Sequence, residues 1–479
     1  MRYYELIYNN ASSDRVAITY DSITYKYNEM VHRVKQIASE FSKKGIKPKD
    51  KIVISTNGKI TTLLAIIALN VIGAIAVPIY PKTGIYKIKL LIEGYGFDYF
   101  FSNIEVGQDI GLVNIMKFDS LGECYIGKFS LINHIEQPDD LALILFTSGT
   151  TGYPKGIMLS NSNIISNINS VSDYLGITER DTVLHIKSMY HSSSIIAEAI
   201  LTLINGAHLV LFDGIVTPKK VYEYCNDMTV SILFSIPLIM QKLLVYMKKN
   251  NLSFKSIRLI NFYGAPVQKE VLENLLVYYK NINIIYSYGL TEASPRVTYA
   301  SRELLEQHLG TVGKPIKYTD VRIVNDSREC MPGEVGMIIV SGPGIMLGYY
   351  KNQQLSDATI CNNYLVTGDL GYKDEYGNIY VVGRKDNMFI CGGKNIYPEE
   401  IEEILMNTGL FQGVLVELNR NNEIIAYVEH PNKSLDYKEL LDYCRNHLED
   451  YKVPHRIIVV DIIEKTETGK LKRGKDKKF

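Results

Sequence analysis

A glycine- and hydroxyl-rich loop that ends in a lysine follows an apolar run, and these are the residue types that bind phosphate. The run from Leu141 to Phe146 is unbroken, as expected for a strand buried on both faces of a sheet. Glycines let backbone amides crowd around an anion, hydroxyls add donors, and lysine supplies positive charge. The sequence therefore predicts a phosphate-binding loop formed by Thr147, Ser148, Gly149, Thr150, Thr151, Gly152 and Lys155.

This loop differs from the P-loop of Walker-type nucleotide-binding proteins. Lys155 follows a proline instead of a glycine and precedes Gly156. The next residues, "GIML", have the composition of a strand, whereas a Walker loop opens a helix. Taken by itself, the segment also fits a flexible surface turn, and that alternative stays open here.

The segment "YGLTE", Tyr288 to Glu292, combines residue types that suit a nucleotide and a divalent cation. An aromatic ring can stack on a base, a glycine admits the nucleotide, a threonine binds phosphate, and a carboxylate can hold Mg²⁺. The alternative is a strand end followed by a turn. Four more segments bear on this choice: "FYGAP" at 262–266, "TGD" at 367–369, "GRKDNMFICGGKNIYPEEIE" at 383–402 and "KTETGK" at 465–470.

In order and spacing, these six motifs resemble those of the adenylate-forming superfamily, which includes acyl-CoA synthetases, nonribosomal adenylation domains and luciferases. The resemblance covers nearly the whole chain, and among these groups the motifs are most similar to those of acyl- and aryl-CoA ligases. It implies an α/β fold in which a large N-terminal domain has helix-covered, mostly parallel sheets and a small β-rich subdomain. A hinge then leads to a small α+β C-terminal domain.

The resemblance also implies a nucleotide site. Tyr288 would pack on adenine, Asp369 would accept the ribose hydroxyls, and Glu292 would help to carry Mg²⁺. Arg384 would contact the ribose and phosphate region. The complete set of nucleotide-binding residues implied in this way is Gly264, Ala265, Pro266, Tyr288, Gly289, Leu290, Thr291, Asp369 and Arg384.

The same resemblance implies residues that catalyse the reaction and a hinge about which the C-terminal domain rotates. Lys470 would bridge the substrate carboxylate and the α-phosphate, with Thr291 and His191 completing the catalytic set. Glu464 replaces the proline that the family usually has before "KT". Asp386 would act as the hinge, and Gly392 and Gly393 would line the thiol channel.

An acyl pocket is implied for Tyr190, His191, Tyr263 and Gly289. Relatives that activate amino acids usually place an aspartate near this histidine, whereas acyl- and aryl-activating relatives have an aromatic–His pair. Tyr190 and His191 therefore favour an acid without an α-ammonium group. Tyr263 stands where relatives commonly have glycine, and its bulk favours a small or aromatic acid over a long fatty chain.

The elements that must position these residues follow from hydrophobic patterning. Apolar runs of strand length alternate with segments of helical period up to about residue 311, which is typical of a helix-covered parallel sheet. Shorter β-rich segments with turn signals then predict antiparallel pairing. The expected domains are residues 1–383, with the β-rich subdomain at about 311–383, a hinge at 384–387, and a mobile C-terminal domain at 388–479.

The amino-acid composition disfavours several classes of protein. Lysine plus arginine and aspartate plus glutamate number 52 each, so no net charge attracts the chain to nucleic acid or an anionic membrane. The basic C-terminal tail lacks the interleaved aromatics of a nucleic-acid site. No secretory signal or segment suited to membrane insertion is found at the sequence level. Six dispersed cysteines favour a reducing cytoplasm over a disulfide framework or zinc ribbon, and the Tyr-, Asn-, Ile- and Lys-rich composition without Trp indicates an AT-rich bacterial genome.

The resemblance thus implies ATP- and Mg²⁺-dependent activation of a carboxylic acid to acyl-AMP with release of pyrophosphate, followed by transfer to a CoA thiol. An alternative acceptor is the phosphopantetheine of an acyl or peptidyl carrier protein. A catalytically silent nucleotide-binding scaffold is a further alternative, which the presence of Lys470, Glu292 and the phosphate loop disfavours.

Overall fold

The computed structural model describes residues 1–103, 110–130, 137–147, 154–325, 328–391, 394–419, 421–430, 437–465, 471 and 473. Helices and strands are numbered in chain order. The helices before Arg384 are α1 (Tyr3–Tyr8), α2 (Tyr27–Lys43), α3 (Lys59–Ile72), α4 (Ile85–Tyr95), α5 (Asn161–Leu175), α6 (Ser192–Ser194), α7 (Leu201–Ile204), α8 (Pro218–Asp227), α9 (Pro237–Lys249), α10 (Lys269–Tyr278), α11 (Arg302–Gln307) and α12 (Gln353–Thr359).

The strands of this large N-terminal part are short and numerous. They are β1 (Val16–Tyr20), β2 (Ile23–Lys26), β3 (Lys51–Ser55), β4 (Ile75–Pro78), β5 (Tyr99–Ser102), β6 (Leu112–Phe118), β7 (Cys124–Phe129), β8 (Leu141–Thr147), β9 (Lys155–Ser160), β10 (Thr182–His185), β11 (His208–Leu211), β12 (Ile232–Ser235), β13 (Leu259–Tyr263), β14 (Asn283–Tyr288), β15 (Thr298–Ala300), β16 (Lys314–Pro315), β17 (Asp320–Asn325), β18 (Arg328–Glu329), β19 (Gly336–Ser341), β20 (Gly348–Tyr349), β21 (Ile360–Cys361), β22 (Tyr364–Lys373) and β23 (Ile379–Arg384).

Two large sheets contain the parallel strands that the alternating pattern predicts. The first runs β16-β15-β14-β13-β12-β10-β11-β1-β2, with parallel pairing from β14 to β1. The second runs β20-β9-β8-β4-β3-β5-β7-β6, and its centre, β8-β4-β3-β5, is parallel. Helices α3 and α5 contribute many apolar side chains to the core shared with these sheets. The predicted class of helix-covered, mostly parallel sheets is confirmed.

The apolar segment that begins near residue 61 illustrates how sequence sets these elements. Helix α3 ends at Ile72, and Gly73 caps it with a left-handed φ of +84°, a conformation that glycine adopts without steric cost. The chain then enters β4, which is buried throughout and terminates at Pro78. The expected helix running into a strand is therefore present.

A third sheet is antiparallel, as the turn-rich texture after residue 311 predicts. It runs β18-β17-β19-β22-β21, and β23 also pairs with β22. Beyond it lies the smaller C-terminal domain, which has its own hydrophobic core. Its elements are β24 (Phe389–Cys391), β25 (Lys394–Ile396), α13 (Pro398–Met406), β26 (Gly413–Leu418), β27 (Ile424–Glu429), α14 (Tyr437–His447) and β28 (Arg456–Val460).

Helix α13 begins as its sequence predicts. Pro398 occupies the first turn, where no backbone hydrogen bond is lost, and Glu399 and Glu400 complement the helix dipole. Its buried face packs on β26. Within the described ranges, no helix is both long enough and apolar enough to cross a membrane.

Candidate active site

Neighbouring parallel strands of the first sheet deliver two of the predicted motifs to the same sheet edge. Tyr263 at the end of β13 pairs in register with Ser287 of β14, so Gly264 and Tyr288 follow side by side. Ligands of open α/β sheets bind beyond the carboxyl ends of the strands. Residues 264–266 and 288–292 therefore occupy the edge where a ligand is expected.

The segment Gly264–Ala265–Pro266 forms one wall of an open slot. Gly264 has a φ of +89°, and a Cβ built there would meet no atom within 4 Å. Gly264 and Pro266 are exposed. The Tyr286 hydroxyl donates a 3.1 Å hydrogen bond to the Ala265 carbonyl and so holds this wall in place. This wall leaves open space beside Gly264.

Tyr288, Asp369 and Arg384 form one hydrogen-bonded chain between the first and third sheets. The Tyr288 hydroxyl donates to Oδ2 of Asp369 at 2.5 Å, and Arg384 Nη1 donates to Oδ1 at 2.9 Å. The antiparallel pairing of β22 with β23 places Asp369 opposite Arg384. Burial and the adjacent carboxylate raise the pKa of Tyr288 well above its ordinary value, so the hydroxyl remains a donor.

Glu292 is linked to the phosphate-loop lysine through a tyrosine. The Tyr349 hydroxyl donates to Glu292 Oε1 at 3.1 Å, and Lys155 Nζ lies 5.6 Å from the centre of the Tyr349 ring. Pairing of β9 with β20 brings Lys155 and Tyr349 together. Burial, followed by the effect of Glu292, raises the pKa of Tyr349. The Glu292 carboxylate and the Lys155 ammonium group are therefore both next to the Tyr349 side chain.

Thr291 and the segment that contains His191 are in contact. Thr291 Oγ1 and Ser192 Oγ, the hydroxyl that follows His191 in the chain, are 3.0 Å apart. The rings of Tyr190 and His191 have centroids 4.1 Å apart, and Tyr190 also packs against Tyr80 at 5.2 Å. The paired rings of Tyr190 and His191 therefore lie close to Thr291, the residue that contacts Ser192.

Several predicted residues lie outside the described residues: Ser148, Gly149, Thr150, Thr151, Gly152, Gly392, Gly393 and Lys470. The positions that flank the phosphate loop are described. Thr147 and Lys155 pair in register as the last and first residues of the antiparallel strands β8 and β9. The expectation that this loop leads into a strand, unlike a Walker loop, is therefore confirmed.

Two more predicted positions have a defined place. Asp386 is exposed and lies in the turn between β23 and β24, where the Asn387 amide bonds back to the Arg384 carbonyl at 3.1 Å. Gly289 packs so closely that a Cβ there would come within 2.0 Å of the Pro295 carbonyl oxygen. Leu290 separates this glycine from Thr291 and is partly buried.

Tyr263 lies between two cations that the sequence analysis did not single out. Lys187 Nζ is 3.9 Å and Arg296 Cζ 3.5 Å from the centre of its ring, and the ring is buried. Lys187 in turn contacts Glu198, which also pairs with His185. Tyr349 and Ser192 were likewise not assigned a role. These side chains meet partners that no local sequence motif links to them, so the sequence alone does not reveal them.

The donor set fits a nucleotide with Mg²⁺. Among the described residues, no group of three or more His, Cys, Asp or Glu side chains could hold a metal by itself. Mg²⁺ commonly binds through one or two carboxylates together with substrate phosphates, and Glu292 supplies one carboxylate beside Lys155 and Thr291. The acidic Asp369 and the open slot at Gly264 suit a ribose and a base.

Comparison with known proteins assigns the class. The family model for AMP-binding enzymes matches residues 8–350, and the model for the C-terminal domain of AMP-binding enzymes matches residues 400–470. The chain therefore belongs to the AMP-binding enzyme family. The resemblance to the adenylate-forming superfamily is confirmed, as is the expected class of AMP-forming acid–thiol ligase.

Individual relatives align along nearly their full length. The chain is 28% identical to 2-succinylbenzoate–CoA ligase of Bacillus subtilis, over 96% of this chain and 94% of the relative. It is 26% identical to feruloyl-CoA synthase of an Amycolatopsis species, over 97% and 95%. The solved o-succinylbenzoate coenzyme A synthetase of Bacillus subtilis, in complex with ATP and magnesium ion, superimposes with a TM-score of 0.86 at 28% identity, covering 97% and 98%.

Proposed function

We propose that this chain activates a carboxylic acid with ATP and transfers the acyl group to coenzyme A. One observation carries the proposal. The hydrogen-bonded chain Tyr288–Asp369–Arg384 and the cluster Lys155–Tyr349–Glu292 come from distant parts of the sequence, yet both border the edge where β14 ends. A catalytically silent scaffold has no need for this combination of ribose, phosphate and metal ligands.

In this proposal the nucleotide is held at both ends. The adenine would lie against Gly264–Pro266 and the Tyr288 ring, while Asp369 would accept hydrogen bonds from the two ribose hydroxyls. Arg384 keeps the Asp369 carboxylate oriented through the 2.9 Å hydrogen bond. Thr291 and the hydroxyl-rich loop after β8 donate to phosphate oxygens. Glu292 would help to hold Mg²⁺, which would supply positive charge to neutralise the phosphate oxygens.

The first half-reaction needs a stabiliser for charge that develops between the acid and the α-phosphate. A carboxylate oxygen attacks the α-phosphorus, and the bond to the pyrophosphate leaving group breaks. We assign Lys470 to this step because a lysine held between the two anions stabilises the transition state more than the ground state. A turn at Asp386 would let the C-terminal domain, residues 388–479, present first Lys470 and then Gly392 and Gly393.

The second half-reaction is displacement of AMP by a thiol, which gives the thioester. We propose free CoA as the acceptor because the relatives are named as CoA ligases or synthases. A carrier-protein phosphopantetheine remains the competing acceptor to be measured. Tyr190, His191, Tyr263 and Gly289 would form the acid pocket, where the bulk of Tyr263 favours a small or aromatic acid, and the two relatives described above are named for aromatic acids. All six cysteines are free, in keeping with a reducing cytoplasm.

The test is acid-dependent exchange of labelled pyrophosphate into ATP, screened across amino, aryl, short and long acids. Exchange with at least one small or aromatic acid, followed by equimolar AMP and thioester when CoA is added, supports the proposal. If exchange occurs but the acyl group is transferred only to a carrier protein, the proposed acceptor is wrong and the proposed first half-reaction still holds. Absence of exchange with every acid would contradict the function.

A further inference from the structure

Tyr95 is the last residue of α4, a helix to which no role in the site has been assigned above. Gly96 follows it with a φ of +61°, and the chain then enters β5 of the second sheet. The end of the helix and the neighbouring strand together fix where the tyrosine lies. Its hydroxyl donates a 2.5 Å hydrogen bond to the carbonyl of Pro154, the residue before Lys155. A side chain of α4 therefore contacts the chain at the end of the phosphate loop.

The Tyr95 ring also contacts the strand that leads into that loop. Its centroid lies 4.9 Å from the centroid of the Phe146 ring, and the two rings meet edge to face at 65°. Phe146 directly precedes Thr147, which pairs in register with Lys155. One tyrosine thus contacts β8 before the loop through its ring and the chain after the loop through its hydroxyl.

Tyr350 supports the same region from the neighbouring strand. Its amide donates a 2.7 Å hydrogen bond to the Gly156 carbonyl, and its ring stacks on the ring of Tyr95 with centroids 6.0 Å apart. The preceding residue, Tyr349, donates to Glu292. Tyr349 and Tyr350 pack in different hydrophobic clusters, as expected for neighbours whose side chains point to opposite faces of a sheet. Tyr95 packs in the cluster of Tyr350, so it supports the loop from the face opposite to Tyr349.

These contacts restrict the backbone from which the Lys155 side chain extends. A lysine has a long flexible stem, so its charge is placed only as precisely as its backbone is held. Pro154 has no amide hydrogen, and its carbonyl is the group through which its backbone can be hydrogen-bonded. Burial raises the pKa of Tyr95, which keeps its hydroxyl protonated and able to donate. The hydrogen bond from Tyr95 to Pro154 therefore fixes the chain directly before the lysine.

We propose that Tyr95 is a positioning residue for ATP that acts through Pro154 and Lys155 rather than by contact with the substrate. This inference rests on the proposed function, in which Thr291 serves the α-phosphate and Lys155 is left to serve the β- and γ-phosphates. Loss of the tyrosine hydroxyl should then weaken binding of ATP but not of AMP, which lacks those two phosphates. The second half-reaction starts from acyl-AMP, so it should not depend on Tyr95.

The experiment is nucleotide binding by Tyr95→Phe, which keeps the ring and deletes only the hydroxyl. Isothermal titration calorimetry without any acid gives the Kd values for ATP with Mg²⁺ and for AMP. We expect the Kd for ATP to rise about 3- to 10-fold, the range for one hydrogen bond between neutral groups, and the Kd for AMP to change by less than about 2-fold. An unchanged Kd for ATP, or an equal rise for both nucleotides, would overturn the inference. If the wild type binds neither nucleotide, the proposed function itself is contradicted.

Tyr99→Phe is the matched control. It deletes a 3.1 Å hydrogen bond from another tyrosine of this region, on β5, to the carbonyl of Gly45. Since neither residue contacts the chain beside the phosphate loop, this variant should bind ATP and AMP like the wild type. If Tyr99→Phe weakened ATP as much as Tyr95→Phe does, the effect would reflect a general loss of stability and the positioning role would be rejected.

A double-mutant cycle tests whether Tyr95 acts through Lys155. Lys155→Ala alone should raise the Kd for ATP because a charge that pairs with phosphate is lost. Addition of Tyr95→Phe to Lys155→Ala should then change this Kd by less than about 2-fold. A further rise as large as that in the single variant would reject the assignment. Should Lys155→Ala bind ATP too weakly to measure, the comparison of ATP with AMP in Tyr95→Phe decides.

The two half-reactions give a second readout. In Tyr95→Phe, thiolysis of a supplied acyl-adenylate, measured as release of AMP, should proceed at the wild-type rate while kcat/KM for ATP in adenylate formation falls about 3- to 10-fold. Equal losses in the two half-reactions would contradict a role confined to ATP.

Discussion

Tyr288 and Asp369 lie 81 positions apart in the chain, yet the tyrosine hydroxyl donates a 2.5 Å hydrogen bond to the aspartate. This contact joins the last residue of β14 in the first sheet to β22 in the antiparallel sheet. Arg384 occupies the other carboxylate oxygen at 2.9 Å. The Asp369 carboxylate is therefore held in one orientation before a ligand binds, which lowers the entropic cost of binding a ribose.

Removal of the tyrosine hydroxyl tests this orientation. Tyr288→Phe keeps the ring that would pack on adenine and deletes only the donor to Asp369. We expect the KM for ATP to rise about 10-fold, the scale for one hydrogen bond to a charged group, with a smaller change in the KM for the acid. Steady-state pyrophosphate release measures both values. Tyr278→Phe, which deletes a 2.6 Å hydrogen bond to the Leu252 carbonyl far from the site, is the control. An unchanged KM for ATP would show that the contact does not serve the nucleotide.

Glu292 is expected to set the magnesium requirement. Glu292→Gln keeps an acceptor for the Tyr349 hydroxyl but removes the negative charge. Because Mg²⁺ binding depends on carboxylate charge, the Mg²⁺ concentration for half-maximal activity should rise at least about 10-fold. Titration of activity with Mg²⁺ at fixed ATP measures the shift. Glu303→Gln, an exposed substitution on α11, should titrate like the wild type. Coincident titrations for Glu292→Gln and the wild type would remove Glu292 from the metal site.

Lys470 is expected to act in one half-reaction only. Lys470→Ala should slow adenylate formation by on the order of 10² to 10³, the scale for loss of one electrostatic stabiliser, and spare thiolysis of a supplied acyl-adenylate. Single-turnover measurements of the two half-reactions separate these effects. Lys477→Ala changes another lysine of the same basic tail and should affect neither step. Equal loss in both steps for Lys470→Ala would refute its assignment.

Elements with a strong local pattern could be predicted from sequence. The apolar run before Thr147, the strand-like residues after Lys155 and the proline at the start of α13 all specify their structures through neighbours in the chain. The site residues within recognisable motifs could be named for the same reason. Their roles stay predictions until the substitutions above are measured.

Other features depend on contacts across the fold and left no local signal. Tyr349 meets Glu292 only because β20 adds to the edge of the second sheet. The stretch Ser294–Arg296 has the composition of an exposed turn, yet Arg296 is buried because Tyr174 of α5, Tyr263 of β13 and Glu198 of the π-helix Ile195–Ile200 enclose it. Burial of a charge in this way is a property of the assembled sheets and helices.

The most direct measurement is identification of the products formed from ATP and an acid that supports pyrophosphate exchange, first without CoA and then with it. The account predicts acyl-AMP and pyrophosphate in the first reaction, and equimolar AMP and acyl-CoA in the second. Formation of ADP and phosphate, or no acid-dependent AMP with any acid offered, would contradict it.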